Sequence, residues 1–576
     1  MDKSDIANIL EEMAVLLELK NANPFSIRAF HNAARAVESA SEDLKLLAET
    51  DTLTKIPGIG KGISAFIQDL FKHGKSKEHE KLKKSFPAGF LDILKIPGVG
   101  PKRAKILYEK LGIKNVAELQ YACQENRLLG LDGFGEKSQA NILRGIEHHM
   151  KSKGFFLVSD ASEEAEAFLK YLRKKKEVSQ ISIAGSLRRR KEIVHDVDIL
   201  VSTKNHPSVH KAFLKYPDVE QVSAKGDTKS SVILKSGLQV DLRTVSVTEY
   251  PYALQHFTGS KEHNVALRTI AKRMGCKMSE YGLFKGKRLI ACKNEEEIYR
   301  KLGLSYMEPE LRENMGEIEA SKKSKLPRDL IEEKDLKGTF HVHSTYSDGR
   351  ASLEAMICRA AECGYEYVGI SDHSKSAIYA NGLSETRVRE QQKEIDVLQK
   401  KCKNMQIFRG IESDILEDGS LDYKDSVLAS FDFIIASIHT RFKMDQKAMT
   451  KRILRAMENP HTTMIGHLTG RLLLGREGYQ IDYEAIFEKA KQTGCVIELN
   501  ANPHRLDIDW RMLKQLKLRK LRTVINPDAH DVGGFEDVRF GVGIARKGWL
   551  EKKDVINTMN VKEMENFLKR RKNTRS

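Results

Sequence analysis

The chain has 576 residues, of which 40% are hydrophobic and 31% charged, and its formal net charge is +17. This length is several times that of an ordinary domain, about 100 to 200 residues, so we expect several domains. No apolar run approaches the ~20 residues that cross a bilayer, and the first residues lack a signal-peptide layout. We therefore expect a soluble, intracellular protein with no membrane partner.

The excess of lysine and arginine favours a polyanionic partner, because basic side chains replace counterions along a phosphate backbone. The seven cysteines are scattered without a CxxC pair, which argues against a disulfide framework and against a structural zinc site.

A short pattern recurs three times in the first 150 residues: IPGIGKGI from Ile56, IPGVGPKRA from Ile96 and LDGFGEKSQANIL from Leu131. One such turn is usually only a tight connection between helices. Three copies favour phosphate binding, because glycines let the backbone approach an anion and the following helix presents unpaired N–H groups. These segments resemble helix-hairpin-helix motifs, which bind the DNA backbone without reading bases. The resemblance implies DNA contacts by Gly58, Gly60, Lys61, Gly98, Gly100, Lys102, Arg103, Gly133 and Gly135, with Lys137 as a further cation.

The segments around these turns carry apolar residues at three-and-four spacing, so residues 1 to about 150 are predicted to be nearly all helix. From Val178 the pattern changes toward strands. Asp196 and Asp198 lie two apart in a β-branched run, which points both carboxylates to one face of a sheet. Asp241 lies in a later apolar strand, where a carboxylate needs a cation or a hydrogen-bond partner.

A single DxD pair most often faces solvent, but this one follows the segment GSLRRR. Three converging carboxylates can hold two Mg²⁺ ions for phosphoryl or nucleotidyl transfer. Gly185 and Ser186 are predicted to begin a helix that faces a triphosphate, and Arg189 to pair with phosphate oxygens.

These motifs, in this order and with FTGS at 257 to 260, resemble those of family X DNA polymerases over residues 1 to about 315. The resemblance implies helix-hairpin-helix domains at 1–85 and 86–150, a nucleotidyltransferase palm at 151–247 and a thumb at 248–315. It implies DNA-directed synthesis from dNTPs on gapped or primer-template DNA, with Mg²⁺ held by the three aspartates. The residues implied for nucleotide binding are Gly185, Ser186, Arg189, Phe257, Gly259 and Asn264, with Arg268 on the template strand.

Two positions depart from the family pattern. His256 stands where vertebrate repair members usually have Tyr, so discrimination between deoxyribose and ribose is expected to differ. Phe66 stands where relatives with a deoxyribose-phosphate lyase have the Schiff-base lysine, which argues against that lyase unless Lys61 or another lysine replaces it.

Residues 316–337 are charged, rich in Ser and Lys, and contain Pro327, which is typical of an interdomain linker. Beyond them, short apolar strands alternate with helical patterns, as in a parallel α/β barrel. Histidines and carboxylates fall at the ends of most of these strands, and such strand ends share one rim of a barrel. One such histidine is more often structural, but the joint pattern predicts a site for two or three metal ions, Mn²⁺, Zn²⁺ or Fe²⁺, that hydrolyses a phosphoester.

The segment 338–576 resembles PHP (polymerase and histidinol phosphatase) domains. The resemblance implies a distorted, seven-stranded TIM-like barrel with Glu412 bridging two ions and with Glu412 and His439 in catalysis. The positions that match the family's metal ligands are His341, His343, Asp348, His373, Glu412, His439, His467, Asp528 and His530.

The fold class expected is therefore multidomain: a helical helix-hairpin-helix region, an α+β palm and thumb, and an α/β barrel. The joint interpretation is a monomeric, cytoplasmic, nucleoid-associated bacterial polymerase that fills short gaps in DNA repair. Its barrel acts as a 3′-5′ exonuclease, as an abasic-site endonuclease or as a 3′-phosphatase. Two alternatives stay open: a DNA-binding scaffold whose barrel hydrolyses a small phosphomonoester, and a transferase that acts on RNA or protein.

Overall fold

The computed structural model describes residues 3–40, 44–87, 89–151 and 154–573. The chain divides into two compact units, Met1–His149 and Met150–Ser576. Within the described residues, no helix has both the length and the apolar composition needed to cross a membrane.

The first unit is helical, as predicted. Its helices are α1 (Lys3–Leu19), α2 (Pro24–Ser39), α3 (Leu44–Glu49), α4 (Lys61–His73), α5 (Lys77–Lys83), α6 (Phe90–Ile93), α7 (Pro101–Leu111), α8 (Val116–Gln124) and α9 (Glu136–Lys151). In α4, Ile63, Ile67 and Leu70 recur at three-and-four spacing and are buried, which is how an amphipathic helix covers a core.

The second unit begins with an antiparallel pair of short strands and a mixed five-stranded sheet in the order β2-β4-β7-β6-β5. Its elements are β1 (Phe156–Leu157), α10 (Val158–Arg173), β2 (Gln180–Ile183), α11 (Gly185–Arg188), β3 (Ile193–Val194), β4 (Asp196–Ser202), α12 (His206–Leu214), β5 (Val219–Lys225), β6 (Lys229–Leu234) and β7 (Gln239–Val245). Val197, Ile199 and Val201 of β4 are buried in the core. The period of two therefore turns Asp196 and Asp198 to the opposite face.

A smaller helix-and-strand region follows the sheet. Its elements are α13 (Tyr250–Thr258), α14 (Lys261–Arg273), β8 (Cys276–Ser279), β9 (Gly282–Lys285), β10 (Arg288–Leu289), α15 (Glu295–Lys301) and α16 (Glu317–Lys322). Helix α16 lies inside the segment expected as a linker, and its Glu317 is fully buried with Oε1 2.7 Å from Nδ1 of His263. The start of that segment is therefore packed against α14 rather than extended.

The rest of the second unit is a nearly closed barrel of parallel strands in sequence order, from β11 to β17. Its elements are β11 (Gly338–Val342), α17 (Leu353–Glu362), β12 (Tyr367–Ile370), α18 (Glu385–Lys401), β13 (Gln406–Asp414), α19 (Asp425–Leu428), β14 (Phe433–Ser437), α20 (Gln446–Glu458), β15 (Met464–Ile465), α21 (Tyr483–Thr493), β16 (Val496–Asn500), α22 (Trp510–Leu518), β17 (Thr523–Asn526), α23 (Val538–Lys547) and α24 (Val561–Asn573). This confirms the predicted seven-stranded barrel.

The first and last barrel strands meet just beyond β17. The N–H of His343 donates to the carbonyl of Ala529 at 2.9 Å, and the N–H of Ala529 donates to the carbonyl of His341 at 3.1 Å. These bonds bring the two histidines of β11 beside the segment that carries Asp528.

Candidate functional site

The nine predicted metal ligands of the barrel converge at the ends of its strands. Their ligand atoms form four overlapping groups whose members lie within 4.8 Å of one another: His343, Asp348, His373 and His530; His341, Glu412 and His467; His341, His343 and Asp528; and His373, Glu412 and His439. Because the groups share members, they describe one continuous cluster rather than four separate sites.

Glu412 lies at the centre of this cluster. Its Oε1 is 3.2 Å from Nε2 of His341, 3.2 Å from Nε2 of His439 and 3.0 Å from Nε2 of His467. Its Oε2 is 2.9 Å from Nδ1 of His373. Burial alone would raise the pKa of Glu412, but His439 and His341 hold the pKa well below its ordinary value. A carboxylate with histidine nitrogens on both oxygens has the arrangement of a bridging ligand.

Several ligand atoms of the cluster lack hydrogen-bond partners within it, as expected for atoms that bind a metal ion. Among the described residues, both ring nitrogens of His343 are buried and make no hydrogen bond. Burial and the neighbouring His530 lower the pKa of His343 to about 3. Neutral imidazoles with unsatisfied nitrogens in a dry site are the state that a metal ion binds.

The backbone at three ligands adopts the left-handed region. The φ angles are 57° at His341, 23° at His467 and 54° at Asp528. Such angles are uncommon for residues other than glycine and collect at functional sites, because the surrounding structure must impose them.

Two carboxylates that the sequence analysis missed orient the histidines from behind. Oε1 of Glu498 is 2.6 Å from Nδ1 of His341, and Oδ1 of Asp414 is 2.5 Å from Nδ1 of His439. In each case the carboxylate holds one ring nitrogen and aims the other at the cluster, an arrangement typical of metal sites. The signal for Glu498 was available, since it interrupts the apolar strand VIELN.

Asp372, which also follows a barrel strand, has another role. It accepts hydrogen bonds from the backbone N–H of Ser344 at 2.8 Å and of Ser347 at 3.1 Å. Asp372 therefore fixes the loop that leads to Asp348.

The three predicted carboxylates of the sheet lie on neighbouring strands, since Asp198 of β4 pairs in register with Asp241 of β7. Burial, and then Asp196 and Asp241, raise the pKa of Asp198 to about 6. The negative charges thus crowd one another, as expected for a site that a cation stabilises.

The three aspartates are not gathered as tightly as the barrel ligands. Among the described residues, the groups with ligand atoms within 4.8 Å of one another all belong to the barrel. Oδ2 of Asp241 lies 2.6 Å from Nζ of Lys229, which draws this carboxylate toward β6. Asp241 is therefore paired with a lysine in this structure, whereas burial and the negative charge of neighbouring aspartates raise the pKa of Asp196 and of Asp198.

The Gly185-Ser186 turn packs directly behind Asp198. A Cβ atom at Gly185, whose φ is +63°, would lie 2.2 Å from Oδ2 of Asp198, so only glycine fits. The predicted helix that begins there, α11, is a single turn of four residues. Its backbone N–H groups, rather than a long helix dipole, are what it can present to an anion.

Arg189 lies at the end of this turn and is already engaged. Its Nε is 3.1 Å from Oε1 of Glu313, and its Nη1 donates to the carbonyl of Thr258. Gly259 makes this approach possible, because a Cβ atom there would lie 3.1 Å from Nη1 of Arg189. The neighbouring Arg188, which the sequence analysis did not select, forms a two-pronged pair with Glu295 at 2.6 and 3.0 Å.

The remaining residues predicted for the nucleotide pocket lie on α13 and α14. Phe257 lies under the guanidinium of Arg243, 4.4 Å from the ring centroid. Asn264 donates to the carbonyl of His256 at 2.7 Å, and Nε of Arg268 donates to the carbonyl of Asn264 at 3.3 Å. The two helices are thereby tied together at the FTGS turn.

The three glycine turns of the first unit have the same geometry. The N–H of Ile59, Val99 and Phe134 donates to the carbonyl three residues earlier, at 3.1, 3.0 and 3.1 Å. These three side chains are buried. The preceding glycines, Gly58, Gly98 and Gly133, have φ values of 97°, 88° and 83°. Gly60, Gly100 and Gly135 come directly before α4, α7 and α9, so each turn presents a helix start to solvent.

The basic residues near these turns differ in what they can do. Lys61, Lys102 and Lys137 are exposed. Arg103 instead donates to the carbonyls of Gly98, at 2.8 Å, and Gly133, at 3.1 Å. Arg103 therefore ties the second turn to the third, and a DNA contact by it stays a prediction.

Phe66, which the resemblance matches to the lyase lysine, is buried and packs edge-on against Phe30 with ring centroids 5.3 Å apart. This position serves the core of the first unit.

Comparisons with known proteins cover all of these regions. Family models match for a helix-hairpin-helix domain at residues 1–76, a SAM-like helix-hairpin-helix tandem at 90–147, the DNA polymerase beta thumb at 253–313 and a PHP domain at 339–502.

Three relatives illustrate the range of the similarity. The DNA polymerase/3′-5′ exonuclease PolX of Bacillus subtilis (strain 168) is 41% identical over 574 residues, 99% of this chain and 100% of that protein. The repair DNA polymerase X of African swine fever virus (isolate Pig/Kenya/KEN-50/1950) is 33% identical over 145 residues, 23% of this chain and 80% of the viral protein. A probable phosphatase of Thermoanaerobacter sp. (strain X514) is 29% identical over 191 residues, 31% of this chain and 74% of that protein.

Proposed function

The chain belongs to the family of bacterial PolX DNA polymerase/3′-5′ exonucleases, and from this premise we propose that it fills short gaps during DNA repair and trims DNA 3′ ends in its barrel. The observation that carries the polymerase half is the Gly185-Ser186 turn packed against Asp198, beside Asp241 on the next strand. This proximity supports a phosphate-binding role for the turn beside the carboxylates.

In nucleotide addition, the primer 3′ hydroxyl attacks the α-phosphate of a dNTP and pyrophosphate leaves. Asp196, Asp198 and Asp241 would hold the cations, and the turn at Gly185 and Ser186 would bind the triphosphate. When bound, Mg²⁺ on the sheet and Mn²⁺, Zn²⁺ or Fe²⁺ in the barrel would supply Lewis acidity to the attacking and leaving oxygens.

The remaining side chains place the sugar, the base and the template. Arg189 contacts the phosphates, Phe257, Gly259 and Asn264 line the pocket for sugar and base, and Arg268 contacts the template strand. His256 lies at the start of this pocket, and comparison of deoxyribo- and ribonucleotide incorporation measures its effect on sugar selection.

In hydrolysis, the cluster around Glu412 binds two or three ions and the scissile phosphate. Glu412 would be the central ligand of these ions, and the ring nitrogens of His343 and its neighbours would be further ligands. Glu498 and Asp414 keep His341 and His439 in the orientation that the ions require. We extend the proposal to cleavage at abasic sites, because a metal cluster at the rim of a barrel, on a chain that also binds DNA, can act on an internal phosphodiester.

Lys229 has a part in the polymerase cycle under this proposal. Its ammonium lies 2.6 Å from Oδ2 of Asp241 and balances the charge of that carboxylate. A divalent cation held by the three aspartates would compete with Lys229 for Asp241.

Two crossed variants test the proposal. We expect Asp198→Ala to abolish nucleotide addition on gapped DNA and to leave degradation of single-stranded DNA intact. We expect His341→Ala to do the reverse. Loss of both activities in either variant, with the protein folded, contradicts two separate centres.

A further inference from the structure

Helix α23 of the barrel contacts the turn that follows the Gly185-Ser186 pair. Nζ of Lys547, on α23, lies 2.5 Å from Oε1 of Glu313 and donates to the carbonyl oxygen of Arg189 at 3.1 Å. Nε of Arg189 lies 3.1 Å from the same Oε1. Oε1 of Glu313 therefore pairs with two cationic side chains, Lys547 of the barrel and Arg189 of the proposed nucleotide site.

This trio is removed from water. The side chain of Lys547 is 0% exposed, that of Glu313 10% and that of Arg189 11%. Burial lowers the pKa of Lys547, while Glu313 opposes that shift. A buried ammonium is tolerated only when it is paired and hydrogen-bonded, so the contacts of Lys547 are specific rather than incidental.

Two more barrel residues contact the same turn. A Cβ atom at Gly543, also on α23, would lie 3.3 Å from Cγ of Arg190, so the absence of a side chain makes room for Arg190. Nη2 of Arg471 lies 2.9 Å from Oε1 of Glu192. The barrel thus contacts the turn at three points between residues 189 and 192.

We propose that Lys547, although it lies in the hydrolytic barrel, is a positioning residue for nucleotide addition. It fixes the carbonyl of Arg189 and shares Glu313 with the Arg189 guanidinium. The inference rests on the proposed contact between Arg189 and the triphosphate.

The test is single-nucleotide incorporation on gapped DNA by the full chain, with kcat and KM for dNTP measured separately. We expect Lys547→Met to raise KM by about tenfold, the value of one lost charged hydrogen bond, and to leave kcat nearly unchanged. Degradation of single-stranded DNA is expected to stay at the wild-type rate. A merely structural lysine would instead lower kcat and DNA degradation together, through the folded fraction.

Arg546→Met is the matched control, since Arg546 is the preceding residue of α23 and pairs with Glu310 at 2.8 Å rather than with the turn. We expect it to keep the wild-type KM. An unchanged KM in Lys547→Met, with nucleotide addition intact in the wild type, overturns the inference alone. A wild-type protein that adds no nucleotide overturns the proposed function itself.

Two milder variants decide the matter if Lys547→Met does not fold. Lys547→Arg keeps the cation and is expected to restore a KM near the wild-type value, whereas Glu313→Gln removes the shared anion and is expected to raise KM. Wild-type KM in both Lys547→Arg and Glu313→Gln overturns the inference.

Discussion

The two candidate centres of the second unit are built on different principles. The barrel cluster is enclosed, with Glu412 1% exposed and surrounded by histidine nitrogens. Of the sheet carboxylates, Asp196 and Asp198 are partly exposed, while Asp241 is buried and paired with a lysine. A centre that holds its ions permanently needs a complete set of ligands, whereas a centre whose ion arrives with a nucleotide can leave part of the coordination to the substrate. Under the proposed function, we therefore expect the barrel to retain its ions through purification and the sheet to bind its ion together with the nucleotide.

The largest effect is expected from replacing Glu412, the central carboxylate of the barrel cluster. We expect Glu412→Gln to lower DNA hydrolysis by more than about 100-fold, because one buried carboxylate contacts ligands of several groups. Metal content measured after dialysis without chelator is expected to fall from two or three ions per chain toward zero. Nucleotide addition with Mg²⁺ in the assay is expected to stay at the wild-type rate; a parallel loss of both activities would contradict separate ion sites.

A smaller effect on DNA hydrolysis is expected from the carboxylates that bond the histidine ligands. Glu498→Gln preserves shape but weakens the hold on Nδ1 of His341, and we expect DNA hydrolysis to fall about 10- to 100-fold. Asp414→Asn, which acts on His439 in the same way, is the matched variant. Hydrolysis at the wild-type rate in both variants, measured at limiting metal concentration, would show that the barrel cluster orients itself without these carboxylates.

The smallest effect is expected from substitutions in the first unit, which should weaken DNA binding and so lower both activities equally. We expect Lys102→Ala to weaken binding of gapped DNA and to reduce the slope of log affinity against log salt by about 1. Nucleotide addition and hydrolysis at subsaturating DNA should fall together.

Arg103→Ala is the contrasting neighbour of that variant. Because Arg103 bonds the carbonyls of Gly98 and Gly133, we expect a lower melting temperature of the first unit. A salt slope that changes in Arg103→Ala but not in Lys102→Ala would reverse the assignment of these two residues.

Much of the barrel could be predicted because its function-bearing residues follow its strands. A histidine or carboxylate at the end of an apolar run is visible in the sequence, and parallel strands bring those ends to one rim. Glu498 and Asp414 were harder to select, because their partners His341 and His439 lie far away in the chain. Asp372 shows the opposite limit: it has the same sequence signal as the ligands but binds backbone N–H groups.

The sheet and the turns show what sequence patterns leave undetermined. The alternation around Asp196 and Asp198 predicts their shared face, but the competition between Lys229 and a cation for Asp241 depends on the three-dimensional register of β6 and β7. The three glycine turns were visible as a repeat. Which of their cations faces outward was not, since Lys102 and Arg103 are adjacent and the difference lies in the third turn, 30 residues away.

The left-handed backbone at His341, His467 and Asp528 implies a trade-off between the thermal stability of the barrel and DNA hydrolysis. Each such residue costs about 1 to 2 kcal/mol that a relaxed conformation would recover. Substitutions that relieve this strain would therefore raise thermal stability but remove metal ligands. Variants selected for thermal stability alone would be expected to keep DNA synthesis and lose nuclease activity.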